Sequence, residues 1–426
     1  MPLKAVLGPV QLIFYSVGVI VGAGVYSVMG SAAGLAHHSL WLSFLVGAGI
    51  ALLTALSYAE MATSFPTAGA EYVYVRKAWP GADGLAFGVG IVMLLGGAAA
   101  AATVAVAFGG YLRIFVDIPG IAAALVLLAA CTALSLWGLR ESSWVNITFT
   151  SIEIVGLLIV VAAAMLSEAA PPSPAPPGTE PAVMAAAALL FFVYLGFEEI
   201  ANLSEEVRHP ARDLPLALFV SLGITTVLYV MVAVAVVSMA PAAELAASEA
   251  PLATAIEKVW PRAGHLLSAI ALFATANTVL ITLIATSRVA FSMGRDGEIP
   301  GMFAGVLKTR QTPWVAAILI FVMPAGTIAV LAEISSFAAL LAFLSVNVVL
   351  IVLRYRMPEH PRPFRVPLAI GRMPLPPLAA IGSILALLVY FEWPIYAAGG
   401  LALLLSAVAF LARQWFRRER SKKPRR

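Results

Sequence analysis

Charge is missing from this sequence over lengths that few soluble helices could carry. Residues 84–112 and 214–240 contain no Asp, Glu, Lys or Arg, and each run exceeds the roughly 20 apolar residues that a helix needs to cross about 30 Å of hydrocarbon. Only 11% of the 426 residues are charged, while 61% are hydrophobic. A soluble domain carries about 25% charged residues, so this chain could not cover its own surface in water. The sequence therefore predicts an all-α integral membrane protein. Backbone groups in lipid must be satisfied within the chain, and helices are one of the two ways to do it.

Apolar runs broken by proline, glycine or charge predict about twelve spans. They lie at 9–35, 40–64, 85–115, 119–139, 145–167, 182–205, 214–240, 264–292, 314–331, 334–354, 376–392 and 394–413. If the N-terminus is cytoplasmic and every run crosses, 23 of the 26 Lys and Arg residues fall in inside segments. Only Arg113, Lys258 and Arg262 are left outside. This bias predicts cytoplasmic N- and C-termini in the cell inner (plasma) membrane. The net charge of +4 sits in loops and in the tail 414–426, which suits anionic lipid rather than nucleic acid. Cys131 stands alone, so neither an internal disulfide nor a metal cluster is expected.

The Pro- and Ala-rich loop near 167–180 divides the chain into a first block of five spans, 9–167, and a second, 182–355. Five is odd, so the second block enters the membrane inverted relative to the first. The last pair, 376–413, lies outside this repeat, and the whole of 1–426 reads as a single domain. Inverted repeats place binding sites at mid-membrane, where helices are interrupted. Span 1 has such an interruption in Gly18-Val19-Ile20-Val21-Gly22-Ala23-Gly24-Val25-Tyr26. A half-helix starting there would aim amides and a positive dipole end at a carboxylate. Close helix packing through small residues is the other reading of that run. Span 6 has a matching break in Leu190-Phe191-Phe192-Val193-Tyr194-Leu195-Gly196-Phe197-Glu198-Glu199. Carboxylates at that depth are expensive and face an interior cavity, a buried arginine or a helix end.

These residues carry a family resemblance. Gly22–Tyr26, Ser57-Tyr58-Ala59-Glu60-Met61 with Phe65-Pro66-Thr67-Ala68-Gly69, and Phe192–Glu198 with Glu205-Glu206-Val207-Arg208-His209-Pro210 resemble signatures of the amino acid–polyamine–organocation superfamily. Ser287-Arg288 with Met293-Gly294-Arg295-Asp296-Gly297, and Leu341-Ala342-Phe343 to Arg354-Tyr355-Arg356, continue the likeness in order along nearly the whole chain. The resemblance implies an amino acid permease with a LeuT-type five-plus-five inverted repeat and two C-terminal helices. It implies that a substrate carboxylate rests on the amides of Gly22, Ala23 and Gly24. The ammonium would meet carbonyls near Ile20, Phe192 and Leu195. Phe192 and Phe197 are the implied aromatic gates, with Glu198 beside them, and Tyr194 is a packing residue or a third gate.

Related proton-coupled members carry a lysine in span 5. Here Asn146–Ile154 has Glu153 instead, and the span holds no lysine. Glu153 either carries a proton, joins Thr286 and Ser287 of span 8 around a cation, or is a structural carboxylate. A proton or sodium gradient is thus the expected driving force, with no cofactor. Glu60 is expected to pair with Arg76 or Lys77, and Glu205, Glu206, Arg208 and Arg212 to form an inner ionic network. Gly96–Thr103 of span 3 and Thr275, Asn277, Thr278 and Thr282 of span 8 offer no charge to a substrate side chain. A neutral amino acid is expected, with Glu198 keeping a cationic amino acid or polyamine open. No His-Glu-x-x-His, Gly-x-Ser-x-Gly or Walker-type loop occurs, which argues against hydrolase and ATP-driven chemistry. A transporter-like sensor, and monomer or homodimer, stay open.

Overall fold

The computed structural model describes residues 3–167, 180–248, 250–307, 312–322 and 328–389, with scattered positions between 393 and 414. Helices dominate it in chain order: α1 (Pro9–Val21), α2 (Ala23–Ala36), α3 (Leu40–Ser64), α4 (Ala70–Ala78), α5 (Asp83–Leu112), α6 (Gly120–Trp137), α7 (Leu139–Leu166) and α8 (Glu180–Phe191). Two 3₁₀ segments, Phe192–Tyr194 and Phe197–Glu206, lead to α9 (Pro210–Met239), α10 (Ala242–Ala247), α11 (Pro251–Glu257) and α12 (Ala263–Arg295). The chain continues with α13 (Trp314–Val322), α14 (Ile328–Arg356) and α15 (Leu375–Leu388). A small hairpin precedes α15, pairing Ala369–Ile370 (β1) with Met373–Pro374 (β2).

Eight apolar stretches among the described residues are long enough to cross a membrane, and two shorter apolar helices accompany them. Predicted span 1 is two helices, α1 and α2, and span 6 is α8 followed by the 3₁₀ segments. Span 9 begins as α13. The linker 168–179, most of span 12 and nearly all of the basic tail lie outside the described residues.

Lipid tails are as apolar as leucine, so packing and internal hydrogen bonds hold such helices together rather than escape from water. The interior shows both. Ala338 of α14 sits so close to Gly96 of α5 that a Cβ there would come within 2.5 Å of it. Between α3 and α14, Ser57 donates to Asn347 Oδ1 at 2.7 Å, and Asn347 Nδ2 donates to Thr54 at 3.3 Å.

One end of the bundle is laced by ion pairs. Arg288 of α12 and Glu206 form a bidentate pair with both contacts at 2.9 Å, each side chain at most 2% exposed. Glu205 pairs with Arg295 at 2.6 Å, and Arg76 pairs with Asp296. The expected partner of Glu60 is corrected. Glu60 binds Arg354 and Arg362, because Arg76 on α4 faces the C-terminal end of α12 instead. The inner network is corrected as well: Arg208 and Arg212 have no ion-pair partner among the described residues. At the same end, Val6 and Leu7 donate to the Glu206 carbonyl, both at 2.9 Å. This ties the segment before α1 to the end of the second broken helix.

Candidate functional site

Gly22 ends α1 and starts α2 with φ −47° and ψ −154°, which breaks the helical path. A Cβ at Gly22 would fall 2.0 Å from the Thr278 hydroxyl of α12, so the break is pressed against that helix. Gly18, one turn earlier, does a different job. Its missing side chain lets Thr150 and Asn277 approach α1 directly. The small-residue run thus serves packing at Gly18 and a break at Gly22, and both readings of it hold in part.

The second break is sharper. Gly196 adopts φ +116°, a backbone conformation that L side chains rarely adopt, and a Cβ on it would overlap Val19 at 1.8 Å. The Glu198 carboxylate turns back to accept the Gly196 N–H at 2.8 Å. The two breaks therefore touch each other, through Val19 against Gly196. Tyr229 of α9 bridges them further: its hydroxyl donates to the Ile20 carbonyl and lies 3.5 Å from the Val193 carbonyl.

A cavity of about 530 Å³ opens at these breaks, within the usual size range of small-molecule sites. Val19, Ile20 and Gly24 line it from the first break, and Val193, Leu195, Gly196, Glu198 and Glu199 from the second. Gly96, Gly97 and Ala100 of α5, Ala338 of α14, and Thr278, Thr282 and Thr286 of α12 form the neutral walls. The first-turn amides of α2, beginning at Ala23, border the same break. A helix start of this kind suits a carboxylate, and the nearby carbonyls suit an ammonium group.

The expected site residues do not all meet here. Ile20, Gly24, Leu195, Glu198 and Thr286 line the cavity. Gly22 and Ala23 form the break beside it, and the Phe192 side chain lies outside the described residues. Phe197 is fully buried behind the break, edge-on to Tyr58 at 5.9 Å and tilted against Phe343 at 5.3 Å. Tyr194 packs on Phe44 and Tyr229, its hydroxyl donating to the Phe44 carbonyl at 3.0 Å. Ser287 donates to the Ile284 carbonyl and accepts from Arg288, away from the cavity.

Glu153 is also apart from Thr286 and Ser287. Its Oε1 accepts from Asn277 at 3.0 Å, and Asn277 lies nine residues, about 14 Å, along α12 from Thr286. Asn277 also joins Asn146 at 2.9 Å and Thr150 at 2.9 Å, and Thr150 reaches the Phe14 carbonyl of α1. This network links α1, α7 and α12 behind the first break. Glu153 Oε2 is buried without a partner among the described residues, and no cation pairs with it there.

Sequence reasoning missed two contributors. Tyr229 carried only the signal of a tyrosine in mid-span. Glu71 of α4 is fully buried, accepting from Tyr58 at 2.8 Å, while Asn202 beside it accepts from the Ala70 amide at 2.9 Å. Burial pushes the Glu71 carboxyl above the usual carboxylate range, and hydrogen bonds from its own backbone, Tyr58 and Asn202 offset part of that rise.

Comparison with known proteins agrees with this architecture. A family profile described as amino acid permease matches residues 7–410. The branched-chain amino acid permease of Bacillus subtilis (strain 168) is 30% identical over 92% of this chain and 89% of its own. The vacuolar cationic amino acid transporter 4 of Arabidopsis thaliana is 32% identical over 83% of this chain and 64% of its own. The methylthioribose transporter of Bacillus subtilis (strain 168) is 29% identical over 89% of this chain and 87% of its own. With that profile spanning the cavity and both broken helices, the chain belongs to the amino acid permease family of the amino acid–polyamine–organocation superfamily.

Proposed function

We propose that the chain is a secondary active transporter that takes up a neutral amino acid across the plasma membrane by alternating access, coupled to protons. The observation that carries this reading is the cavity at the two breaks. It combines a helix start for a carboxylate with carbonyls for an ammonium group, and the lining residues of α5, α12 and α14 include no Asp, Glu, Lys, Arg or His. About twelve spans in a LeuT-type five-plus-five inverted repeat, with both termini cytoplasmic, complete the proposal. The similarity to a permease named for branched-chain amino acids supports an aliphatic side chain against Gly96, Gly97, Ala100 and Ala338.

Glu153 is the proposed proton carrier. It is fully buried, one carboxylate oxygen lacks a partner, and its network reaches α1 through Thr150. A carboxylate at membrane depth without a cation is costly, and a proton removes that cost. Thr286 keeps a role in lining the cavity.

A second reading is favoured by Glu198 and Glu199 in the cavity and by the similarity to a cationic amino acid transporter. On that reading the protein exchanges cationic amino acids or polyamines. Uptake of labelled amino acids into proteoliposomes, under proton and sodium gradients imposed separately, tests both. Proton-driven leucine or valine uptake that becomes gradient-independent in Glu153→Gln fits the first reading. Exchange of arginine or putrescine with no proton effect selects the second. Binding without uptake or exchange of any amino acid or amine defeats both and leaves a sensor.

A further inference from the structure

A second pocket lies away from the substrate cavity, where the C-terminal end of α14 meets the segment leading to β1. Its volume is about 390 Å³, and Arg354, Glu359, His360, Arg362, Arg365 and Arg372 line it with Pro358. Of its four arginines, Arg354 and Arg362 are committed to Glu60: Oε1 accepts from the Nε of both, and Oε2 accepts from Arg354 Nη2. His360 is held by stacking on Phe65 at 4.4 Å and by contact with the Ser64 carbonyl at 3.0 Å. Two features are left over. Arg354 Nη1 is buried without a hydrogen-bond partner, in a side chain only 2% exposed. Arg365 and Arg372 have no ion-pair or hydrogen-bond partner among the described residues. Counting Glu60 and Glu359 against four arginines leaves a surplus of two positive charges.

A buried guanidinium nitrogen with an unmet N–H is costly, and Arg354 lines the pocket, so an acceptor bound there could reach it. A carboxylate is already supplied by Glu60. The remaining donors come from three separate chain positions, and a tetrahedral anion with several oxygens can accept from all of them. The surroundings suit the membrane surface. Leu368 and Ile370 of the hairpin are 73% and 72% exposed, and Leu375 at the start of α15 is 42% exposed. Apolar side chains beside unpaired arginines fit an interface where tails and headgroups meet.

We propose that this pocket binds a phosphate-bearing anion, with Arg365, Arg372 and Arg354 Nη1 as its donors. An anionic phospholipid headgroup and free phosphate share this chemistry, and the assay separates them. The full-length protein is purified in detergent. Phosphatidylglycerol and phosphatidylcholine retention is measured by native mass spectrometry, and melting is followed with inorganic phosphate or chloride at equal ionic strength. The test variant is Arg365→Gln with Arg372→Gln. The control, Arg140→Gln with Arg212→Gln, removes the same charge from exposed positions elsewhere. A preference for phosphatidylglycerol that weakens at least tenfold in the test variant, and less than twofold in the control, supports a headgroup site. A phosphate-specific melting shift lost only in the test variant, with no lipid preference, supports the same site with free phosphate as its occupant. Equal loss in both variants, or no anion effect in the wild type, overturns the proposal.

Discussion

Replacing Gly196 with alanine tests whether the two breaks form one site. Gly196 sits at φ +116°, and its added Cβ would lie 1.8 Å from Val19 Cγ1. Carbon atoms rest about 3.5–4.0 Å apart, so Val19 or the turn must retreat by roughly 2 Å. Holding an alanine in such a backbone region costs about 1–3 kcal/mol. Overpacking a tight contact costs about 1–3 kcal/mol more. At 1.4 kcal/mol per factor of ten, even the lower sum of about 2 kcal/mol lowers occupancy of the working geometry by roughly 30-fold. The assay is initial uptake in proteoliposomes, normalised to the monodisperse protein recovered after reconstitution. Gly24→Ala is the internal comparison, since its Cβ would stand 3.6 Å from Val193, an ordinary contact. The expected outcome is a drop of 30-fold or more for Gly196→Ala with protein still inserted, and a melting midpoint near wild type for Gly24→Ala. Uptake within threefold of wild type for Gly196→Ala would mean that the contact between Val19 and Gly196 does not hold the two breaks in their working geometry.

Two further outcomes follow from the ionised groups. Arg288→Met leaves Glu206 buried without its bidentate partner, a change that costs about 3–5 kcal/mol in such settings. A lowered melting midpoint in detergent, partly restored by adding Glu206→Gln, is expected. Glu71→Gln should stabilise the protein as pH rises. Burial raises the Glu71 carboxyl in the folded state, so the native form favours the proton. The stability tied to it is present below the unfolded carboxylate range and is lost as pH climbs through the raised value. The midpoint difference between Glu71→Gln and wild type should therefore grow from pH 4 to pH 8; a constant difference would contradict the assignment.

The elements that were legible in the sequence are those governed by length and by backbone. Uncharged runs located α3, α5, α6, α9 and α12 within a few residues, because hydrocarbon thickness sets their length, whereas α7 begins six residues before predicted span 5 and α14 begins inside predicted span 9. Gly22 and Gly196 marked the breaks because only glycine meets what each position demands, contact with Thr278 at one and a positive φ at the other. Side-chain partners were not legible in this way. Glu60 joins Arg354 across 294 residues, and Glu206 joins Arg288 across 82. Such pairs depend on how helices are rotated and stacked, which hydropathy does not report. Glu153 shows the same limit. Its place in span 5 was plain, but whether it faced Asn277 or Thr286 turned on the packing of α7 against α12.

Charge balance in the cavity gives the sharpest separation between the two functional readings. A zwitterion adds no net charge, so one neutral amino acid entering with one proton moves one positive charge per cycle. Moving a unit charge through 100 mV is worth about 2.3 kcal/mol. That energy corresponds to an accumulation ratio of roughly 50 at equilibrium, by the factor-of-ten rule of 1.4 kcal/mol. A valinomycin-set potassium potential of about 100 mV, inside negative and without a pH gradient, should then concentrate the neutral substrate by up to that ratio. One-for-one exchange of like charges moves no net charge and should not respond to potential. Glu153→Gln should abolish the response if that carboxylate carries the proton, while leaving exchange of internal for external substrate intact. A wild-type ratio near one under the imposed potential would rule out proton coupling, even if binding to the cavity were strong.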